Sequence, residues 1–431
     1  MSWFRKMSPA RLIALGFLSV ILIGCLLLML PFSVKSGQHL SFLNALFTAT
    51  SAVCVTGLVV VDTYTTYTGF GQLVIAILIQ IGGLGVASMS VGLMLAVKKR
   101  IDLKTRNLVR ESMNVSSLKG LVGLVKSILF TTLIFESVGA VLNFCVFIKD
   151  YPLGRAVWMS IFHAVATFNN AGFDIIGGFV NLIPYQNNVL MNLSTAGLIL
   201  CGSIGFLVLR DIKVNHSFKK LRLHSQVVIS MTLALTVFGT LLLKLTQPGI
   251  TWMGAFFQSI TTRTAGFATY DFSTFTQGAL WVLCLLMFVG ASPGSTGGGI
   301  KTSTAFVLIH AIKEAASNRR SIAFHYRISR DAYYKASVIA ILGASFTAAG
   351  IFVMSVLEPN IAVSDIIFEL VSAFSTTGLS TGITPHLSWG SKVLEIVMMF
   401  GGRVGVLTLI SVLSFKKESN AMYPEGNITI G

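Results

Sequence analysis

Apolar stretches of roughly 20 residues, about the length a helix needs to cross a bilayer, recur along the chain between short polar connections. They lie near 11–30, 72–97, 121–148, 190–209, 226–245, 279–312, 334–357 and 392–415, and the pattern predicts a spanning helix for each. The first follows a basic start (Arg5, Lys6, Arg11) in the manner of a signal peptide. It is long for one, and Pro31-Phe-Ser-Val is no small-residue cleavage site, so it reads as a membrane helix. Between the two runs of each successive pair sits a further apolar stretch, rich in Gly and Thr and too short or too polar to span.

Those four stretches align. They read F-T-A-T-S-A-V-C-V-T-G-L (47–58), F-H-A-V-A-T-F-N-N-A-G-F (162–173), F-F-Q-S-I-T-T-R-T-A-G-F (256–267) and F-E-L-V-S-A-F-S-T-T-G-L (368–379). Each starts with Phe and carries Gly57, Gly172, Gly266 or Gly378 just before a Leu or Phe. Four such segments in the same place between two spans make an internal repeat. The repeats run over approximately 10–98, 120–210, 224–316 and 333–416 of one membrane domain, with 417–431 left as a short tail.

Composition agrees with a membrane chain: 54% of residues are hydrophobic and only 11% charged. The net charge of +16 changes the picture through its position. Most Lys and Arg cluster at the start, in 98–119, 210–222 and 313–335, and at Lys416 and Lys417. These clusters share one side only if each Gly-rich stretch enters the membrane and returns; that side is then the cytoplasm, with both termini on it. Nucleic-acid binding is disfavoured, because no aromatic residues interleave with the basic ones on a soluble domain. The five cysteines (Cys25, Cys54, Cys145, Cys201, Cys284) show neither metal spacing nor a disulfide framework.

Irregular backbone at membrane depth is tolerated where it is buried in protein or lines water. Four re-entrant loops therefore surround one axis, each entered by a short helix (near 40–54 in the first copy) whose C-terminal end carries partial negative charge. Glycine at the turn brings carbonyl oxygens to the axis without a Cβ in the way. A bare monovalent cation in low dielectric costs on the order of tens of kcal/mol, and rings of carbonyls recover most of it. The residues three before each Gly differ (Cys54, Asn169, Arg263, Ser375), so they are expected to point outward and hold the loops. Arg263 as a ligand would repel a cation; as a brace it donates to carbonyls or to an acid such as Asp271. Asp62, Asp174 and Asp271 are placed near the outer mouth.

At these loop ends, V-T-G-L, N-A-G-F, T-A-G-F and T-T-G-L, the chain resembles the Trk/Ktr/HKT superfamily of potassium transporters, most of all the bacterial Ktr membrane subunit. The resemblance covers essentially the whole chain. It implies an all-α integral membrane protein of four M1–P–M2 repeats, eight transmembrane helices and four re-entrant pore loops around a central ion path. It implies a potassium filter of Val55, Thr56 and Gly57; Asn170, Ala171 and Gly172; Thr264, Ala265 and Gly266; and Thr376, Thr377 and Gly378. In the plant HKT branch a Ser for the first glycine goes with sodium preference; Gly57 here favours potassium. One Gly per loop provides fewer stacked carbonyl rings than a T-V-G-Y-G filter, so discrimination against sodium is expected to be weaker than a channel's.

The third repeat contains G-A-S-P-G-S-T-G-G-G-I-K (290–301), where Pro and five glycines break the helix. It is no Walker A motif: Ile300 separates the last Gly from Lys301, and no βα context surrounds it. The resemblance implies a mobile gate below the filter, formed by Ala291, Ser292, Pro293, Gly294, Ser295, Thr296, Gly297, Gly298, Gly299 and Lys301; the alternative is a passive kink. Arg403, mid-span in F-G-G-R-V-G-V, is costly in lipid and therefore paired. The family implies that it faces the pore and contacts the gating loop; a structural or intersubunit pair is the alternative. Glu136 is a second intramembrane charge.

The resemblance also implies a homodimer seated on a cytoplasmic ring of RCK-type regulatory subunits, which carry the nucleotide. The chain itself needs no cofactor, and its ligand is the transported K+ or Na+ ion. In the Ktr branch the tail packs at the dimer interface. An enzyme is not expected: His163 has no companion and no H-E-x-x-H occurs. The nearest rival is a sodium-selective or sodium-coupled transporter of the same fold in the bacterial cell membrane.

Overall fold

The computed structural model describes residues 7–96, 103–112, 120–317 and 319–413. Arg5, Lys6, most of the 98–119 basic segment, Lys416, Lys417 and the 417–431 tail lie outside the described residues. The chain is mostly helical; among the described residues the strands form one short hairpin, Ile322–Ala323 against Tyr326–Arg327.

Among the described residues, four helices are long and apolar enough to cross a membrane: Ala10–Leu28, Leu121–Phe147, Leu223–Thr246 and Arg330–Leu357, here called the outer helices. Each precedes a short helix: Phe42–Val53, Leu153–Phe168, Trp252–Thr261 and Val363–Ser375. A mostly irregular segment with one short helical turn follows, and then an inner helix: Gly69–Leu84, Val189–Ile204, Gln277–Phe288 and Trp389–Val404. Each inner helix starts where a polar side chain, Thr68, Asn188, Thr276 or Ser388, accepts a bond from an otherwise orphaned backbone N–H of the first turn.

Burial is inverted relative to a water-soluble protein. Large apolar side chains such as Leu133, Leu233 and Phe352 on the outer helices are more than 60% exposed, the ordinary condition of a surface whose solvent is hydrocarbon. The short helices run inward from exposed first turns (Phe42, Leu153, Trp252, Val363) to an enclosed core in which Phe47, Phe257 and Phe368 are fully buried. Polar groups concentrate there too, with Ser51, Thr56, Asn170, Thr264 and Ser372 buried at the centre.

The runs at 72–97, 190–209 and 392–415 read as unbroken spans, and here the structure differs. The first bends by 103° and the second by 95°. The breaks fall at Gly85, Gly205 and Gly405 (φ +81°, +97° and +90°), a left-handed conformation that ends an α-helix and that L side chains resist. The 279–312 run is also interrupted, between Gln277–Phe288 and Thr302–Ser317.

Three residues before each of those breaks lies another glycine: Gly82, Gly202 and Gly402. A Cβ on them would sit 2.0, 2.0 and 1.7 Å from the carbonyl oxygens of Val53, Phe168 and Phe374 respectively. The ends of three short helices thus press directly on inner-helix backbone, and no side chain fits between.

Candidate functional site

The four loops repeat one backbone conformation. Gly57, Gly172, Gly266 and Gly378 have φ of +97°, +68°, +75° and +87°. Two residues earlier, Val55, Asn170, Thr264 and Thr376 are also left-handed, at φ +54°, +57°, +63° and +54°. For the β-branched Val and Thr this strain costs about 1–3 kcal/mol each, and it persists because the surroundings hold it. Hydroxyls of the short helices help: Ser51 Oγ accepts the Gly57 N–H at 3.0 Å, Ser372 Oγ the Gly378 N–H at 3.0 Å, and Thr261 Oγ1 the Phe267 N–H at 2.8 Å.

The glycines meet in a ring. A Cβ on Gly57 would lie 2.5 Å from the carbonyl oxygen of Ala171, one on Gly172 3.1 Å from that of Ala265, and one on Gly266 2.3 Å from that of Thr377. One on Gly378 would lie 2.0 Å from that of Thr56, which closes the circle. The loops therefore follow one another in chain order, each glycine facing the carbonyl that precedes the next glycine. Leu58, Phe173, Phe267 and Leu379, the apolar residues after the glycines, are buried and anchor each loop outward.

Of the residues three before each glycine, Asn169 and Arg263 turn away from this ring into the protein. Asn169 Nδ2 donates to Gln80 Oε1 at 2.7 Å and Glu136 Oε1 at 3.0 Å, which pairs the intramembrane Glu136 with the second loop. Arg263 donates to the Thr232 carbonyl at 2.6 Å and to Thr236 Oγ1 at 3.4 Å. Ser375 Oγ lies 2.7 Å from Thr377 Oγ1, and Cys54 is buried. The alternative acid partner for Arg263 is not used: Asp271 accepts from Ser273 N and Oγ at 2.9 and 2.7 Å, capping a short helix of its own.

Above the ring opens a cavity of about 340 Å³ whose floor includes all four glycines and whose wall includes Asp62 and Asp174. Asp271 is not part of that wall. Asp62 accepts from Thr65 N at 2.7 Å and Phe179 N at 3.1 Å, and Asp174 from Ile176 N at 3.0 Å, so both are fixed in place. His163 lies behind the ring, 3.0 Å from Thr195 Oγ1 and packed edge-on against Phe267. No group of three or more His, Cys, Asp or Glu able to hold a metal occurs among the described residues.

Below the ring, 290–301 forms a closed loop touching the second, third and fourth repeats. The Gly290 N–H donates to the Ile300 carbonyl at 2.8 Å, and Lys301 Nζ to the Gly297 carbonyl at 2.7 Å. Against the second repeat, Ser292 N donates to Ser203 O at 3.0 Å, and Gly294 O accepts from Phe206 N at 3.0 Å across the break at Gly205. Toward the fourth, the Gly298 N–H donates to Thr376 Oγ1 at 3.0 Å. Gly297 lies under the third loop, where a Cβ would be 1.8 Å from Thr264 Oγ1. Arg403 completes the set: its guanidinium donates to the Thr296 carbonyl and to the Gly82 carbonyl, with Gly83 O at 3.4 Å. One side chain thus joins the loop to the C-terminal end of the first inner helix.

Polar backbone converging at the centre of an apolar helical body defines a multi-pass membrane transport protein. The family model described as TrkH, cation transport protein, matches residues 10–237 and 226–423, and the chain belongs to that family. The family consists of transporters, not enzymes. The chain is 37% identical to the potassium/sodium uptake protein NtpJ of Enterococcus hirae, over 99% of this chain and 98% of that protein. It is likewise 37% identical to the Ktr system potassium uptake protein B of Bacillus subtilis, over 100% and 98% of the two chains. The Vibrio alginolyticus protein of the same name is 34% identical, over 99% and 96%. The crystal structure of the potassium transporter TrkH from Vibrio parahaemolyticus shares the fold, with a TM-score of 0.75 over 95% of this chain and 86% of that one, at 18% identity.

Proposed function

We propose that the chain carries potassium into the cell through the ring of Gly57, Gly172, Gly266 and Gly378. The closed circle of four glycines, each against the next loop's carbonyl, carries this reading. In it the four outer and four inner helices form eight spans, the short helices and their loops re-enter, and the repeats occupy 10–98, 120–210, 224–316 and 333–416. Asp62 and Asp174 draw cations into the outer cavity. The ion sheds water against the carbonyls of Val55, Thr56 and Gly57 and their counterparts at 170–172, 264–266 and 376–378, assisted by the negative ends of the short helices.

The 291–299 loop with Lys301 and Arg403 is the gate. It lies directly under Thr264 and Thr376, and the guanidinium opposes a cation until the loop withdraws. Withdrawal is driven from the cytoplasm by an RCK-type, nucleotide-binding ring on which a homodimer sits. The relatives named as parts of a Ktr system support partners of this kind. Both termini are cytoplasmic in this reading, in the cell membrane.

Sodium is the second reading, because one relative is named for uptake of both ions. A potassium-uptake-deficient host expressing the chain with its regulatory partner tests both. Growth on low potassium and tracer uptake should be rescued by the native chain and lost in Gly57→Ser and Gly266→Ser at normal membrane levels. Rescue that survives both substitutions overturns the ring as the filter. Uptake of sodium in preference to potassium overturns the choice of ion.

A further inference from the structure

Behind the fourth loop lies a pair of acids that the transport reading does not use. Glu395, on the fourth inner helix, is fully buried, and neither of its carboxylate oxygens has a hydrogen-bond partner. Its electrostatic neighbour is Glu369 on the fourth short helix, also fully buried. Glu369 is not idle: it accepts from Ser380 Oγ at 2.8 Å and from Thr384 Oγ1, and the two hydroxyl oxygens lie 3.0 Å apart. Both hydroxyls belong to residues lining the outer cavity, beside Gly378.

Two ionised carboxylates in this setting repel each other, and the one without donors has nothing to replace its water. The surroundings offer little relief. Among the described residues Lys392, one turn earlier on the same helix, is the cation that favours an ionised Glu395, and Asp365 adds negative charge beside Glu369. Glu358 is engaged by Ser388 N and Ser391 Oγ at the helix start. The first short helix, packed against the same inner helix, carries no acid or base, and the fourth outer helix has its charges at its opposite end, from Arg330 to Lys335.

We propose that Glu369 and Glu395 form a buried proton-binding site that communicates with the outer cavity through the hydroxyls of Ser380 and Thr384. A proton leaves hydronium in the cavity, passes along hydroxyls that both donate and accept, and comes to rest on one carboxyl. It returns by the same route. With it bound, the pair bears a single negative charge and Glu395 gains the hydrogen-bonding proton it otherwise lacks. Because Glu369 also holds Ser380 and Thr384, the charge of the pair bears on the wall just above Gly378.

Infrared difference spectroscopy of the full-length chain in lipid bilayers tests this without relying on uptake. The native protein should show a protonated-carboxyl C=O band at neutral pH that shifts in D2O. The band should vanish in Glu395→Gln and move in Glu369→Gln. Should the amide fail to fold, Glu395→Asp keeps the acid and should displace the band without removing it. Absence of the band in the native protein overturns the site, as does a band unchanged in both single variants. A band that responds to sodium and not to pH overturns it as well, by making the pair a metal-cation site.

Discussion

Asn170 Nδ2 donates to the Arg263 carbonyl oxygen at 3.0 Å, tying the second loop to the third just under the glycine ring. The same residue holds a left-handed φ of +57°, a conformation Asn accepts more readily than most L residues. Asn170→Gly should preserve the backbone and lose the tie; Asn170→Ala should lose both. We expect the alanine variant to be destabilised by about 1–3 kcal/mol, the usual range for a buried bond lost together with αL strain. Both variants should discriminate less between potassium and sodium, read by competitive tracer uptake. Unchanged discrimination in the glycine variant counts against the tie.

The four glycines should not respond equally to alanine. A Cβ at Gly172 has its nearest neighbour at 3.1 Å, whereas at Gly378 it meets the Thr56 carbonyl oxygen at 2.0 Å. Uptake should therefore fall least for Gly172→Ala and most for Gly378→Ala, with Gly266 and Gly57 between. Tracer uptake normalised to membrane protein gives the ranking, and a reversed order contradicts this geometry.

Arg403 bridges the 290–301 loop and the end of the first inner helix through three backbone carbonyls. A planar fork suits that task and a lysine ammonium does not. Arg403→Gln and Arg403→Lys should both release the loop and raise basal uptake in cells that lack the regulatory partner. Uptake no faster than native in either variant would mean that the arginine is not a latch.

Gly297→Ala forces a methyl to within 1.8 Å of Thr264 Oγ1 unless the loop moves. The expected outcome is faster uptake with weaker dependence on the partner. Thr264→Ala combined with it removes the closest clash, leaving the Ala291 Cβ at 2.7 Å, and should bring uptake part of the way back toward native. Independent, additive effects in this double-mutant cycle would show that the two residues do not meet.

Much of this organisation is legible in the sequence because polar residues and glycine are expensive in an apolar frame and stand out wherever they recur. Gly57, Gly172, Gly266 and Gly378, the 290–301 interruption and Arg403 are visible for that reason. The left-handed residues two places earlier are not. Val55, Thr264 and Thr376 belong to types that avoid φ > 0, so propensity argues against the conformation the ring imposes on them. The breaks at Gly85, Gly205 and Gly405 were hidden by continuous hydrophobicity, although I-G-G-L-G, C-G-S-I-G and G-G-R-V-G share a G-x-x-G spacing that carries the signal. Arg263 and Asp271 lie close in sequence, yet the arginine turns to a carbonyl on the third outer helix, a choice only packing decides. Glu369 and Glu395 are far enough apart in the chain that nothing in it pairs them.

The circle of loops has one more consequence. In an assembly of four identical subunits, any substitution at the constriction is stamped in all four quadrants at once. Here a single polypeptide provides each quadrant separately, and their supports already differ: Glu136 behind the second, Thr232 behind the third, Glu369 behind the fourth. With the ring as the proposed filter, ion preference would be adjustable in quarter steps, one sector drifting while the other three keep the passage working.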